Sequence, residues 1–554
     1  MSDVANIASA LRAMAQLRPE AVALRVPQQA SRSSELPPYH DIGYAELDAA
    51  SDHSAAALAA AGITRGMKTA LMVRPGRELF VLMFALFKLG AVPVLIDPGI
   101  AKRALRQCLD EAAPEAFVGI PLAQVARIVL GWARRSVRIV VTVGGPFRWG
   151  GQRLQQLRER VPKQPFAPVP TRPDELAAIL FTSGSTGVPK GVEYLHRHFL
   201  AQVELLREAF ALQPGHVNMP TFPPFALFDP ALGSTSVIPD MDPTRPASAD
   251  PRKLVAAIER YGVDMLFGSP ALLDTLSRHC ERYGVRLGSL RRVISAGAPV
   301  APAILARLRP WLDPAAEIYT PYGATECLPL AVIESAELLQ HTRAATERGA
   351  GTCVGRPLAA NTVRIIAIGD EPIVDWGSVR ELPVGEIGEI TVAGPTTTEA
   401  YHARPAATAL AKIRDGARIV HRMGDLGYFD AQGRLWFCGR KSQRVRTAQG
   451  DLYTEQAEPI FNAIAGVRRS ALVGVGTPGA QQPVIVLELE ADAADAAERI
   501  EAEARNLAAA FAHLRTITQV LFHPRFPVDI RHNAKIGRET LARWAAGRLG
   551  SAPA

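Results

Sequence analysis

The sequence predicts an α/β protein: a large N-terminal part of α/β sheet subdomains plus a small β-barrel, with a smaller α+β part behind it. Three observations predict this. Between Thr69 and Phe181 short apolar runs alternate with helical segments, as in parallel sheets covered by helices. From Gly385 to Gly394 turn and strand signals follow one another closely, as in a small barrel. A chain of 554 residues is also too long for one ordinary core, so two or more domains are expected.

The elements follow in order. Asp3 to Arg18 has helical spacing, with Val4, Ile7, Leu11, Met14 and Leu17 on one face. Pro27 to Asp41, rich in Ser and Pro, is a loop, Tyr44 to Ala61 a helix ended by Gly62, and Thr69 to Val73 a strand. The most apolar stretch, Leu79 to Ile96, is broken by Lys88, Gly90 and Pro93. It reads as a buried helix and a buried strand, not a membrane span. Strands at Ala116 to Ile120 and Val137 to Val143 precede a Pro-rich connection, Pro162 to Pro173, and the apolar strand Leu176 to Phe181. Val192 to Leu195 is a strand and His196 to Phe210 a helix, with His196 expected to pack. Met265 to Gly268 opens a helix capped at Ser269 and Pro270. In the last part Ser470 to Val475 and Val484 to Leu489 are strands, and Ala491 to Phe511, rich in Ala and Glu, is a helix.

Composition narrows the function classes. The chain is 48% hydrophobic and 21% charged, the balance of a folded globular protein. Its net charge of +8 is read as coming from arginines scattered along the whole length. No basic block is interleaved with aromatics, so nucleic-acid binding is not expected. An anionic substrate set or an anionic membrane surface explains the charge equally well. Five widely spaced cysteines without a CxxC pair argue against a zinc site and a disulfide framework. With no signal pattern at the N-terminus, a cytoplasmic protein without a transmembrane segment is expected.

One run carries chemistry on its face. After the strand at Leu176 to Phe181 come Thr182, Ser183, Gly184, Ser185, Thr186, Gly187, Val188, Pro189, Lys190 and Gly191. Glycines let backbone approach a bulky anion, hydroxyls and free amides donate to phosphate oxygens, and Lys190 adds a full charge. The run is not a Walker A loop, which needs Gly before its Lys and Ser or Thr after it. Those places hold Pro189 and Gly191.

The run resembles the phosphate-binding signature of the adenylate-forming superfamily, which includes acyl-CoA synthetases, luciferases and peptide-synthetase adenylation domains. The resemblance implies that ATP activates a carboxylate as an acyl-adenylate, with release of pyrophosphate. Later segments match the superfamily in order. Tyr322-Gly323-Ala324-Thr325-Glu326 resembles its aromatic-Gly-x-Thr-Glu motif. This implies that Tyr322 stacks on adenine, Thr325 donates to the α-phosphate and Glu326 holds Mg²⁺. The small-residue turn at Ala296 and Gly297 would border adenine and the acyl carboxylate, with Gly323 beside the substrate. Asp425, in Met423-Gly424-Asp425, matches the ribose-binding aspartate, although Thr usually stands where Met423 is. Arg440 matches the arginine that contacts ribose or phosphate. Lys535 resembles the C-terminal lysine that enters the site during adenylation. The superfamily's domain division places residues 1–440 in an ATP- and acyl-binding domain and residues 441–554 in a mobile C-terminal domain. Ser442 stands where the family hinge is usually Asp or Lys.

A finer resemblance lies at residues 225–246. Many acyl-CoA synthetases carry a histidine near Phe225; this chain offers Phe225, Phe228 and Asp229 instead. Together with Ser236 to Pro246, the segment is similar to β-lactone synthetases of long-chain olefin biosynthesis. The resemblance implies a long-chain 3-hydroxy acid substrate, its own 3-hydroxyl closing the ring, and partner enzymes that supply the acid and consume the lactone. Phe225 and Phe228 would line the acyl pocket, with Asp229 or the departing phosphate as the candidate base. An acyl-CoA ligase, a fatty-acyl-AMP ligase and a catalytically silent nucleotide-binding scaffold are the other readings.

Overall fold

The computed structural model describes residues 5–28, 33–97, 99–100, 102–181, 189–528 and 536–550. The described chain is a mixed α/β molecule with two large sheets in its N-terminal part and a three-stranded sheet in its C-terminal part. The first large sheet has seven strands. From one edge these are Gln152–Arg153, Ile139–Thr142, Ala116–Gly119, Lys68–Met72, Val92–Ile96, Leu176–Phe181 and Gly191–Leu195. All neighbours are parallel except the last pair, which forms a hairpin with Phe181 opposite Gly191. Phe181 and Gly191 thus stand at the facing ends of two strands on either side of the run 182–190.

The apolar stretch at its centre behaves as its pattern requires. Helix Arg77–Lys88 is buried from Leu79 onward and is followed by strand Val92–Ile96. Lys88, the charge that broke the hydrophobic run, is fully buried. Its Nζ donates to Asp48 Oδ1 at 2.6 Å and Asp52 Oδ1 at 2.5 Å. Arg12 reaches the same two carboxylates from the N-terminal helix Ala8–Leu17. That helix starts later than its periodicity predicts, because Ala5 N bonds Thr171 O and Asn6 Oδ1 caps Ala8 N. His196 packs as expected, edge-on to Phe87, and burial pulls its pKa down to about 4.

The second sheet has fourteen strands and changes character along its length. Strands Val22–Pro27, Thr235–Val237, Val217–Pro220, Met265–Phe267, Arg292–Ile294 and Glu317–Ala324 are parallel in that order. From Glu317–Ala324 on every pairing is antiparallel, through Cys327–Glu334, Thr352–Pro357, Leu435–Arg440, Arg418–Phe429, Gly388–Ala393 and Thr362–Ile366. The strands expected as a separate small barrel are thus hydrogen-bonded into the antiparallel end of this sheet.

In the C-terminal part Gln482–Leu489 is the central strand, antiparallel to Val467–Val475 and parallel to Gln519–Phe522. Helices Thr454–Asn462, Ala497–Ala510 and Arg538–Arg548 accompany this sheet. The predicted helix from Ala491 is shorter, since a 3₁₀ turn at Ala494–Ala496 comes before it. No helix among the described residues is long and apolar enough to cross a membrane.

Candidate active site

Three features of the sheets converge on one place. Thr325 and Glu326 form the two-residue tip of the hairpin at which the large sheet turns antiparallel, with Ala324 opposite Cys327. Gly323 is required there: a Cβ would lie 2.7 Å from Cys327 O. Asp425 and Arg440 sit opposite each other on adjacent antiparallel strands. Residues 400–402 run along the edge of the phosphate hairpin, with Glu193 N bonded to Ala400 O and His402 N to Gly191 O. Tyr401 pairs with Val192 in this ladder, which carries its side chain to Glu326.

The nucleotide residues predicted from separate motifs meet directly. Tyr322 donates its phenolic hydrogen to Asp425 Oδ2 at 2.6 Å, and its ring lies 6.0 Å from that of Phe437. Asp425 is 2% exposed. Burial raises its pKa, against the opposing Arg440 charge and the Tyr322 hydrogen bond. Arg440 Nη1 lies 2.9 Å from Asp425 Oδ1, yet that oxygen has no aligned hydrogen-bond donor among the described residues. A buried carboxylate oxygen that is charge-paired but lacks a donor fits a ribose hydroxyl.

Glu326 is held from two sides. Tyr401 donates to its Oε1, and Thr398 donates to its backbone carbonyl from N at 2.9 Å and from Oγ1 at 3.2 Å. The exposed Lys190 places Nζ 4.7 Å from the centre of the Tyr401 ring. The buried Lys412 lies 5.9 Å from it and donates to Thr398 O. Burial lowers the Lys412 pKa to about 8, against the pull of Glu326. Two lysines therefore flank one carboxylate and one phenol, a balance suited to a polyanionic ligand. Among the described residues no group of three or more acidic, His or Cys side chains forms a metal cage. A hard cation held by Glu326 and substrate phosphates fits that arrangement.

The substrate residues separate. Phe225 stacks on Phe267 at 4.2 Å, and Phe228 packs 6.2 Å from Phe199 beside Tyr194. Ala296 and Gly297 follow strand Arg292–Ile294, where Gly297 has φ +95°. Next to them the buried Ser295 Oγ has no hydrogen-bond partner among the described residues. Asp229 is turned inward. Its carboxylate is 2% exposed and accepts from Asn218 Nδ2 at 2.9 and 3.0 Å and from Ser236 Oγ. Burial raises its pKa to about 7. These three hydrogen bonds from two donors tie Asp229 into the fold beside strands Val217–Pro220 and Thr235–Val237.

Two groups of expected residues, Thr182 to Gly187 and Lys535, lie outside the described residues. Cys327 is fully buried between Thr396 and Thr397, each 3.5 Å away, and burial raises its pKa, as suits a wall residue. Sequence reasoning missed Tyr401, Lys412 and Ser295. Tyr401 had a local signal only: Thr408 Oγ1, in the first helical turn after Pro405, accepts its backbone N–H. Nothing in the sequence linked it to Glu326, seventy-five residues earlier.

The profile of the AMP-binding enzyme family matches residues 11–402. A protein of Stenotrophomonas maltophilia named olefin beta-lactone synthetase is 58% identical over 560 residues, covering 99% of each chain. A Xanthomonas campestris protein of the same name is 59% identical over 552 residues, covering 99% of this chain and 98% of that one. The solved amide bond synthetase McbA of Marinactinospora thermotolerans has the same fold, with a TM-score of 0.79. It is 23% identical and covers 97% of this chain and 99% of its own. By its motifs in order and by these matches, the chain belongs to the AMP-binding enzyme family.

Proposed function

We propose that this protein uses ATP to activate a long-chain 2-alkyl-3-hydroxy acid and then closes it to a β-lactone, releasing AMP and pyrophosphate. The observation that carries the reading is identity of 58–59%, over 99% of this chain, to the two relatives named olefin beta-lactone synthetase.

In the first step a carboxylate oxygen bonds to the α-phosphorus of ATP as the bond to the β-phosphate breaks. Asp425 Oδ1 accepts from the ribose, Arg440 balances that charge, and Tyr322 lies along the adenine with Ala296 and Gly297 at its edge. Thr325 donates to the α-phosphate. The run from Thr182 to Lys190 holds the departing pyrophosphate. Glu326 holds Mg²⁺, which supplies positive charge at the phosphates. Lys535 neutralises charge between carboxylate and α-phosphate; positioning and charge stabilisation are the main demands of such a transfer.

In the second step the substrate's 3-hydroxyl oxygen attacks the acyl carbonyl carbon. The bond to the phosphate oxygen breaks, AMP leaves, and the hydroxyl proton passes to the departing phosphate. Phe225 and Phe267 provide an apolar wall, and the intramolecular nucleophile supplies its own proximity. Residues 1–440 form the binding domain and residues 441–554 the mobile domain that delivers Lys535, pivoting at Ser442. Enzymes that make the hydroxy acid and decarboxylate the lactone are its partners.

Incubating the full chain with ATP, Mg²⁺ and a racemic 2-alkyl-3-hydroxy acid, without CoA, gives lactone, AMP and pyrophosphate if the reading holds. Product that appears only with CoA, as a thioester, would make the protein a ligase. No AMP at all would make it a silent nucleotide-binding scaffold.

A further inference from the structure

The arginines are less scattered than the composition suggests. Residues 116–158 contain seven arginines and no lysine, aspartate or glutamate. This one segment carries +7 of the chain's net +8. It folds as the outer edge of the seven-stranded sheet, whose two outermost strands are Gln152–Arg153 and Ile139–Thr142. The same segment holds an unusual share of exposed apolar surface: Leu122, Ile128, Val129 and Phe147 are each more than half exposed.

We propose that this edge is a docking surface for an anionic lipid membrane. The apolar side chains stand on two pieces of chain that are clamped together. Helix Pro121–Leu130 is fixed from inside by Gln124, which is fully buried and donates to Val141 O at 3.1 Å. Arg127 is folded inward, donating to Gln124 Oε1 at 3.0 Å and to Trp149 O at 3.2 Å. The second of these bonds ties the loop that bears Phe147 and Trp149 to the helix that bears Leu122, Ile128 and Val129. Phe147 and Trp149 pack edge-to-face at 5.8 Å. Gly131, at φ +64°, ends the helix and leads into the exposed Arg134 and Arg135. Arg138 and Arg148 are also exposed. None of these four arginines pairs with a carboxylate among the described residues. By contrast Arg158, at the inner end of the segment, pairs with Glu78 at 2.8 Å.

Aliphatic and aromatic side chains held rigidly among unpaired guanidiniums match the boundary between acyl chains and anionic headgroups. Nucleic acid would meet aliphatic side chains that cannot stack on bases. The strand order also suits docking, because the phosphate hairpin lies at the opposite edge of the sheet. The membrane-facing edge and the adenylation site can therefore be used together. This inference stands on the charge and exposure of the edge alone and does not depend on which acid is activated.

The test is co-sedimentation of the full chain with vesicles of phosphatidylcholine alone or mixed with phosphatidylglycerol. Binding is expected to the mixed vesicles only, and to weaken as salt is raised. Arg134→Glu with Arg135→Glu should reduce it by about tenfold or more, and Ile128→Ser with Val129→Ser by a similar factor. Both variants should keep wild-type melting and pyrophosphate exchange. Should either fail to fold, wild-type tryptophan quenching by brominated mixed vesicles supplies the second measurement, with quenching expected. Absence of sedimentation and quenching, or equal binding to neutral vesicles, overturns the proposal. So does binding displaced by soluble polyglutamate and indifferent to Ile128 and Val129, which would mark an acidic protein partner instead.

Discussion

Tyr401 donates its phenolic hydrogen to Glu326 Oε1 while Lys190 Nζ sits 4.7 Å from the centre of the same ring. One side chain thus joins the phosphate hairpin to the carboxylate at the tip of the other sheet. The bond fixes one oxygen of Glu326. Burial, with Glu326 nearby, raises the Tyr401 pKa, so the phenol stays a donor across the working range.

Tyr401→Phe keeps the ring under Lys190 and removes only the donor. A hydrogen bond to a charged group contributes about 1.5–3 kcal/mol. Pyrophosphate exchange is therefore expected to slow by about tenfold to a hundredfold, with more Mg²⁺ needed for half-maximal rate and an unchanged KM for the acid. A variant whose Mg²⁺ dependence matches wild type would show that Glu326 needs no such anchor.

Asp425 makes a separate, sharper prediction. Its Oδ2 is occupied by Tyr322 and its Oδ1 is charge-paired with Arg440 but lacks an aligned donor. The wild type should therefore discriminate ATP from its 2′- and 3′-deoxy analogues, and Asp425→Ala should abolish that discrimination. Each hydrogen bond lost costs about 1 kcal/mol, more where a charge is involved. ATP KM should rise by about tenfold or more in Asp425→Ala and by only a few-fold in Tyr322→Phe. Equal discrimination in wild type and Asp425→Ala would move ribose recognition elsewhere.

Much of this site was legible because its motifs are local. The run after Phe181, the hairpin tip at Thr325 and Glu326, and the turn before Asp425 each announce themselves within ten residues. Their convergence was not legible: it depends on strand pairings such as Val192 with Tyr401 and Asp425 with Arg440, which join distant segments. The burial of Asp229 was not legible for a related reason. Its neighbours in sequence suggested a pocket, whereas its partner Asn218 comes from the adjacent strand and draws the carboxylate inward. The basic edge was missed because charge was judged over the whole chain rather than segment by segment.

Lys88 tests the core rather than the chemistry. Its ammonium is fully buried against Asp48 and Asp52, which Arg12 also contacts. Removing one partner of a buried ion pair leaves unpaired charge and costs about 3–5 kcal/mol. Lys88→Ala is expected to lose about that much in urea unfolding, at the low end because Arg12 remains. Lys88→Met should lose less than Lys88→Ala, since it fills the volume. A loss below about 1 kcal/mol would show that the carboxylates rehydrate freely.

Lys412 gives a pH dependence with a definite sign. Burial lowers its pKa from the ordinary 10.5 to about 8. Between those values the unfolded chain binds the proton and the native chain does not. Stability attributable to this lysine therefore rises with pH through that window, and the penalty is full below about pH 8. Its native charge is lost as pH rises through about 8, and that charge lies close to Glu326 and the Tyr401 ring. ATP affinity of the wild type should fall above about pH 8, although the fold grows no weaker through this residue. Lys412→Met leaves Thr398 O without its donor, so it starts less stable at low pH only if that bond outweighs the buried charge. Whatever the starting point, wild type should gain about 3 kcal/mol on the variant as pH rises through the window. The variant's ATP affinity should show no fall tied to that window. A constant stability difference, or the same alkaline fall in both proteins, would mean that Lys412 keeps an ordinary pKa and sets neither property.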